Sequence, residues 1–214
     1  MSAGLAARVG IVDYQAGNLQ SIRNALTSLG AYVLCVREPG EVRGCTHLVL
    51  PGVGAFGFCA DRLSASGLIP ALEDSALGQG IPLLGICVGM QLLADGSEES
   101  PEVSGLGWLG GRVRLIPDSG PGIRVPHVGW NAVTFDRHWA NFQPGTEADF
   151  YFDHSYAYTE PRRGVTVASC QHGISFSAVV QHDNIVAVQF HPEKSQTSGM
   201  RFLRGFLAAQ CQPD

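Results

Sequence analysis

A cysteine stands between two glycines in the run Leu-Leu-Gly-Ile-Cys-Val-Gly-Met-Gln-Leu-Leu, residues 83–93. Residues 85–89 fit a glycine–x–nucleophile–x–glycine pattern, the sharp strand-to-helix turn that holds a nucleophile in a strained, exposed position. The glycines are needed because a Cβ at either flank would collide in so tight a turn. The dipole of a following helix also favours the reactive thiolate. The same pattern also fits a small buried cysteine without a catalytic role. A catalytic role for Cys87 therefore requires a base from elsewhere in the chain.

Seven histidines are available, and His191 is the best candidate because it directly follows the strand-like run 184–190 and begins His-Pro-Glu. In extended backbone, residues two apart share a face, so Glu193 can hold the imidazole of His191 in one tautomer and support its charge. A nucleophile, a base and an orienting carboxylate would then be present. His-Pro-Glu is common on protein surfaces, and its pairing with the cysteine turn is what indicates catalysis.

A glycine-rich segment, Pro-Gly-Val-Gly-Ala-Phe-Gly at 51–57, also matches the GxGxxG pattern of dinucleotide sites. Such sites use an acidic residue at the end of the next strand. Here Glu73 and Asp74 fall in a helical stretch instead, and the segment is not in the first strand-to-helix turn. The segment therefore fits better as a loop whose free N–H groups form an oxyanion hole beside the cysteine, as acyl transfer requires.

The elements that must position these residues alternate along the first half of the chain. Strands are predicted at 8–13, 32–36, 47–50 and 82–86, and helices at 18–30, up to about residue 66, and from 88 to 94. This alternation predicts an α/β fold with a doubly wound, mostly parallel sheet flanked by helices.

After about residue 105 the helical periods give way to short strand-like runs. These runs cover 112–116, 132–135, 149–155, 165–170, 174–181 and 184–190, with a turn at Asp183-Asn184 and a last helix at about 197–209. They predict an additional antiparallel or mixed β region in the C-terminal half. No repeat, linker or low-complexity segment divides the chain, so we expect a single domain over 1–214.

Composition excludes several classes of protein. Hydrophobic residues make up 45% of the 214 residues and charged residues only 15%, which is typical of a compact enzyme domain. The net charge of −5 leaves no basic surface for nucleic acid. We find no signal peptide and no membrane span, and therefore expect a cytoplasmic protein. The six cysteines form no CxxC pair, so neither a metal site nor a disulfide framework is expected, and no cofactor is implied.

Three segments together resemble the class I glutamine amidotransferases: Gly85 to Gln91, Val188 to Glu193, and Pro51 to Gly54. Within that family, further stretches are similar to the glutaminase subunits of imidazole glycerol phosphate synthases, namely 13–19, 125–131, 151–156 and 193–196. The resemblance runs through nearly the whole chain, in order. Two departures are visible, because Gln15 stands where that family usually has glycine and Asp153 where an apolar residue is common. The first would alter the loop beside the substrate, and the second the surface toward a partner.

The resemblance implies that Cys87 attacks the side-chain amide of glutamine and forms a thioester. His191 would protonate the departing ammonia and then activate water, while Glu193 orients His191. The resemblance assigns the oxyanion-binding N–H groups to Gly52, Val53, Gly54 and Val88. It assigns the binding of glutamine to Gln91 and Glu99. The backbone around His154 and Ser155 would contact the other end of the substrate. Without the family, Glu98 and Glu99 would be interpreted as a solvated charge run.

The resemblance also implies a partner, a (β/α)₈ cyclase subunit that receives the ammonia and makes imidazole glycerol phosphate and an aminoimidazole carboxamide ribonucleotide for histidine biosynthesis. A barrel needs about 250 residues, so it must be another chain, giving a heterodimer. His127, Trp130 and Tyr156 would lie near the ammonia exit and the partner face, although core packing also explains them.

Two other functions stay open at this level. Another glutaminase subunit, such as that of pyridoxal phosphate synthase, would share the triad but lack the stretches 13–19 and 125–131. A cysteine hydrolase or a redox-sensing thiol protein would share only the nucleophile turn, and a sensor has no need of an oriented base.

Overall fold

The computed structural model describes residues 7–118, 123–161 and 164–209. The N-terminal residues 1–6 and Cys211, on which parts of the sequence interpretation rest, lie outside this range.

The first half of the chain alternates strands and helices as predicted. The strands are β1 (Arg8–Val12), β2 (Tyr32–Val36), β3 (His47–Leu50) and β4 (Leu83–Ile86). The helices are α1 (Leu19–Ser28), α2 (Phe56–Ala65), α3 (Ile69–Glu73) and α4 (Val88–Leu92), with a 3₁₀ turn at Pro39–Val42 and a π-helical turn at Asp74–Gly78. Each predicted boundary in this half lies within about two residues of the observed one.

Helix α1 illustrates how the sequence sets these boundaries. The side chain of Asn18 accepts a hydrogen bond from the N–H of Ser21 and caps the first turn. Ile22, Ala25 and Leu26 face the core at the spacing of one helical face. Gly30 follows the helix with φ +88°, a conformation that favours glycine and ends the helix.

The second half is mainly strands. They are β5 (Gly96–Ser97), β6 (Arg112–Leu115), β7 (His127–Phe135), β8 (Glu147–His154), β9 (Tyr156–Glu160), β10 (Thr166–His172), β11 (Ile174–His182) and β12 (Ile185–Val188), followed by a 3₁₀ turn at Pro192–Lys194 and by α5 (Gln196–Leu207). The prediction missed β5 and β9 and began β7 five residues too late, at residue 132 instead of 127. Gly129, at φ +127°, interrupts the alternation that would have revealed its first half.

Nine strands form one sheet in the order β2-β1-β3-β4-β12-β11-β10-β7-β8. The first five are parallel, and from β12 onward each neighbouring pair is antiparallel. The strands β5-β6-β9 form a second, smaller sheet. The predicted doubly wound, mostly parallel sheet with an added antiparallel region is therefore confirmed.

An aromatic cluster anchors the C-terminal end of β12. Phe190 stacks on Phe150 of β8 at 3.9 Å between ring centroids and meets Phe202 of α5 edge-on at 5.4 Å. All three rings are fully buried, so they bring large apolar areas together beside residue 191. Within the described residues, none of the helices combines the length and apolar character that crossing a membrane requires.

Candidate active site

Cys87 lies in a strained turn directly after β4. Its φ is +55°, in the left-handed region that L-residues rarely adopt. A Cβ on Gly89 would overlap the carbonyl oxygen of Leu50, and one on Gly85 would lie 2.8 Å from Leu93 and 3.0 Å from the carbonyl of Gly89. The turn is therefore closed by backbone-to-backbone contacts that only glycine permits, and the N–H of Cys87 donates to the carbonyl of Val188 at 2.8 Å.

Two hydrogen bonds fix the backbone of His191. Its N–H donates to the carbonyl of Tyr151 at 2.9 Å, and its carbonyl accepts from the hydroxyl of Ser195 at 2.6 Å. Ser195 in turn accepts from the N–H of Tyr151 at 3.0 Å. Because β12 pairs with β4, residue 191 reaches the same end of the sheet as Cys87. His191 is thereby fixed to both β8 and the turn before α5.

The imidazole of His191 contacts Glu193 inside the protein. Nδ1 of His191 lies 2.9 Å from Oε1 of Glu193, and each side chain is only 4% exposed. Burial lowers the pKa of His191, but the hydrogen bonds and charges of Cys87 and Glu193 outweigh burial and raise that pKa well above its ordinary value. A protonated His191 at this position can give its proton to a leaving group.

Cys87 and His191 line a cavity of about 280 Å³. Its walls include all of the site residues that the sequence suggested except Gly52 and Glu193, namely Val53, Gly54, Cys87, Val88, Gln91, Glu99, His154, Ser155 and His191. Pro126, Asp153, Tyr156 and Lys194 complete it. The volume is at the low end for ligand sites and suits a small metabolite better than a dinucleotide. A larger cavity of about 690 Å³ lies at the other end of β4, against Pro82 and Arg204, and contains no cysteine.

The glycine-rich loop is fixed at three points. The buried hydroxyl of Tyr14 donates to the carbonyl of Pro51 at 2.6 Å, and the thiol of Cys59 donates to the carbonyl of Val53 at 3.4 Å. At its far end, Oε2 of Glu99 accepts from the N–H of Phe56 at 2.8 Å. Burial raises the pKa of Tyr14, so its hydroxyl stays a neutral donor. Gly54 has φ +98° and open space around it.

The adjacent residues Glu98 and Glu99 have different surroundings. Glu98 points away from the cavity and pairs with Arg114 at 2.6 Å, as expected of a surface charge. Glu99 lines the cavity. The solvated-run interpretation therefore fits Glu98 alone.

Two buried histidines, His154 in the cavity wall and His127 beyond it, contact each other. Nδ1 of His154 donates to the carbonyl of Tyr156 at 2.8 Å, and Nε2 of His154 lies 3.0 Å from Nδ1 of His127. Burial lowers the pKa of His127 to about 3 and that of His154 to about 4. Both rings are therefore neutral, and His127 is a core residue that stacks on Phe152.

The two departures from the family pattern occupy different places. Gln15 lies outside the Cys87 cavity, has φ +65°, and its side-chain oxygen accepts from Arg62. The left-handed backbone explains why glycine is usual there. Asp153 lines the cavity itself, and its carbonyl oxygen is 4.0 Å from the Cys87 sulfur.

Comparisons with known proteins agree with this geometry. The family model for glutamine amidotransferase class-I matches residues 10–209. The imidazole glycerol phosphate synthase subunit HisH of Zymomonas mobilis is 45% identical over 206 residues, covering 93% of this chain and 94% of the relative. The HisH subunit of Moorella thermoacetica is 43% identical, covering 92% and 93%, and that of Methanothermobacter thermautotrophicus is 43% identical, covering 93% and 97%.

The chain belongs to the class I glutamine amidotransferases, in the HisH group. Two solved structures share its fold. One is a glutamine amidotransferase with a TM-score of 0.74 and 22% identity, covering 93% of this chain and 96% of that one. The other is PurLQS from Thermotoga maritima, with a TM-score of 0.69 and 17% identity, covering 95% and 98%.

The structure adds residues that the sequence motifs contained without a role. Gln189, Ser195 and Tyr14 all stood inside the quoted stretches, yet their contacts with Cys87, His191 and Pro51 depend on strand order. Gln189 could have been identified from the sequence, because it is a polar residue directly after the apolar strand that leads to His191. Among the described residues, no group of three His, Cys, Asp or Glu side chains could hold a metal ion.

The close approach of Gly89 to Leu50 gives a stability prediction. Gly89→Ala is expected to lower the free energy of unfolding by about 3 kcal/mol or more, because the new methyl group overlaps main-chain atoms that cannot move aside. Gly40→Ala is the control, since a Cβ there meets nothing within 4 Å, and its effect should stay within about 0.5 kcal/mol. Urea unfolding measures both, and equal stabilities would refute the packing role of Gly89.

Proposed function

We propose that this chain is the glutaminase subunit of an imidazole glycerol phosphate synthase. The observation that carries the proposal is the buried Cys87–His191–Glu193 arrangement beside a small cavity, in a chain that closely matches HisH subunits. We further propose that residues 1–214 act as one glutamine amidotransferase domain. A cytoplasmic location is also proposed, and the five free cysteines among the described residues support it.

The proposed reaction has two steps. The thiolate of Cys87 attacks the amide carbon of glutamine, and the His191 imidazolium gives its proton to the leaving nitrogen, so that ammonia departs and a thioester remains. The neutral imidazole of His191 then takes a proton from water, whose oxygen attacks the thioester. The sulfur leaves as thiolate, glutamate is released, and His191 is again protonated.

Substrate contacts are proposed for the cavity walls. Glu99 supplies a carboxylate for the α-amino group of glutamine, and Gln91 offers the acceptor Oε1. The backbone of His154 and Ser155 would contact the other end. The N–H groups of the 52–54 loop and of Val88 would hold the oxyanion of the tetrahedral intermediate, and the loop's fixed ends at Pro51 and Phe56 support this role.

A cyclase subunit is the proposed partner, forming a heterodimer that receives the ammonia. Pro126, which directly precedes β7, lines the Cys87 cavity. Val128 and Trp130 of β7 are 54% and 49% exposed. Large apolar side chains exposed in a row are typical of an interface core. Direct transfer into a partner would keep ammonia from being protonated in water.

Removing the nucleophile tests the central assignment. Cys87→Ser is expected to lower glutamine-dependent turnover of the complex by about 10³-fold or more. Turnover with added ammonium should persist, because the acceptor site lies on the partner. Cys35→Ser, a half-buried cysteine on β2, is the control and should keep both activities. Glutamine turnover by the Cys87 variant would show that the nucleophile is misassigned.

Replacing the other two triad members separates their roles. Glu193→Gln should be milder than His191→Ala, because it keeps the base and removes only charge support. The loss of that charge lowers the pKa of His191, so the alkaline fall of the glutamine kcat/KM should move to lower pH, where the imidazolium is now lost earlier. A pH profile of each variant measures this, and an unmoved alkaline limb would mean that Glu193 does not act on His191.

The 52–54 loop is proposed to control activity. The isolated chain should hydrolyse glutamine slowly and accelerate when the cyclase binds its own ligand, because a peptide in this loop turns inward and completes the oxyanion hole. One missing donor costs a factor of roughly 10² to 10³ in rate. Full activity of the isolated wild-type chain would contradict this.

Gly54→Ala is the sharper test of the loop, because a Cβ at Gly52 would also press on Gly89 and Val88. At Gly54 the added methyl group meets nothing within 4 Å, and only the positive φ is penalised. We expect a large loss of ligand-induced stimulation with little change in glutamine binding. Gly67→Ala, at φ +68° and equally open, is the matched control for strain and should keep the stimulation.

A further inference from the structure

Gln189 is a buried amide that the proposed reaction leaves without a task. It lies between the end of β12 and His191, and its side chain is 0% exposed. A buried amide costs free energy unless its polar atoms are hydrogen-bonded. Its Oε1 accepts from Nε2 of Gln91 at 3.2 Å, and its Nε2 lies 3.8 Å from the sulfur of Cys87.

The orientation of this amide follows from a main-chain carbonyl. The carbonyl oxygen of Tyr156 can only accept, and Gln91 faces it at 3.0 Å, so the facing atom of Gln91 must be its NH₂ group. The same NH₂ group faces Gln189, which must therefore present its oxygen to Gln91. The NH₂ group of Gln189 is consequently turned toward the Cys87 sulfur.

An N–H group beside this sulfur favours one protonation state over the other. A hydrogen bond to an ionised acceptor is roughly twice as strong as one between neutral groups. A donor aimed at the sulfur therefore stabilises the thiolate more than the thiol. The ring of His191 also hydrogen-bonds to this sulfur, so an imidazole and an amide both contact it.

We propose that Gln189 is a further catalytic residue, which donates an N–H to the Cys87 sulfur, increases the thiolate population and aims the sulfur at the substrate. Gln91 and the Tyr156 carbonyl are its positioning groups. The inference deepens the proposed glutaminase reaction and rests on it for the identity of the nucleophile. Gln189 is not among the residues that line the cavity, so it acts on the sulfur and not on glutamine.

Other titratable groups lie near Cys87 and must stay constant in any test. Within the cavity these are His191 and Lys194 from the turn after β12, Asp153 and His154 from β8, Tyr156 from β9, and Glu99. Behind the nucleophile turn lie Tyr14, Cys59 and Glu193. A variant at residue 189 leaves all of them in place.

The test measures alkylation of Cys87 by iodoacetamide in the full chain, with the modified peptide quantified by mass spectrometry across a pH series. Gln189→Met keeps the size of the side chain and removes the donor. Its Cys87 should react about tenfold more slowly than wild type near pH 7, and the difference should vanish at high pH, where every thiol is ionised. Gln181→Met on β11, where the side-chain amide donates to the carbonyl of Asp183, is the control and should follow wild type.

Activity of the complex supplies the second readout. Gln189→Met should lower the glutamine-dependent kcat with an unchanged KM for glutamine, and ammonium-dependent turnover should stay at the wild-type level. An alkylation profile superimposable on wild type would overturn the proposal and leave Gln189 as a core residue. If the Met variant loses its native circular dichroism spectrum, Gln189→Glu gives the same comparison with a side chain of equal size. It should react more slowly still, because a carboxylate then faces the sulfur.

Failure of the proposed function is distinguishable from failure of this inference. Alkylation requires only the thiol, so a slower Gln189→Met reaction supports the contact even if the wild-type complex does not use glutamine. Conversely, a wild-type complex that uses glutamine, together with unchanged alkylation of the variant, refutes only the role of Gln189.

Discussion

The backbone contact between Gly89 and the carbonyl of Leu50 is the constraint on which the site depends. It lets the nucleophile turn lie directly on the end of β3, so that Cys87 takes its left-handed conformation without moving away from the sheet. Pro51, the next residue along, begins the glycine-rich loop 51–57. A single close approach therefore sets the distance between nucleophile and loop, because both leave neighbouring parallel strands at the same edge of the sheet.

Buried polar groups around this edge are oriented by main-chain carbonyls. Tyr156 accepts from His154 on one side and from Gln91 on the other, while Pro51 accepts from Tyr14. Carbonyls only accept, so each one fixes which atom its neighbour presents. The neutral histidines consequently have defined tautomers. Polar side chains at this depth persist because nearly every one has a partner.

The sequence predicted the elements that a local pattern determines. It did not predict the elements that depend on pairing with a distant strand. The spacing of Ile22 and Leu26 and the stop at Gly30 predicted α1, and the alternation of elements predicted the parallel sheet. Strand β9 went unrecognised because only its pairing with β6 makes it a strand. Cys87 and His191 were identifiable by residue type and motif, whereas Gln189 and Ser195 act through partners far away in sequence that no local pattern reveals. Tyr156 contacts Gln91 and His154 through its main-chain carbonyl. The type of side chain at this position therefore does not reveal these contacts.

The place of β12 in the sheet also orders events during synthesis. This strand is nearly the last to be made, yet it lies between β4 and β11 near the middle of the nine-stranded sheet. A nascent chain that ends before β12 contains Cys87 without its base, and its central parallel strands lack a neighbour on one side. Such long-range pairing is slow to form and exposes unpaired strand edges meanwhile. The proposed triad therefore cannot form before β12 pairs with β4, so its assembly depends on completion of the sheet.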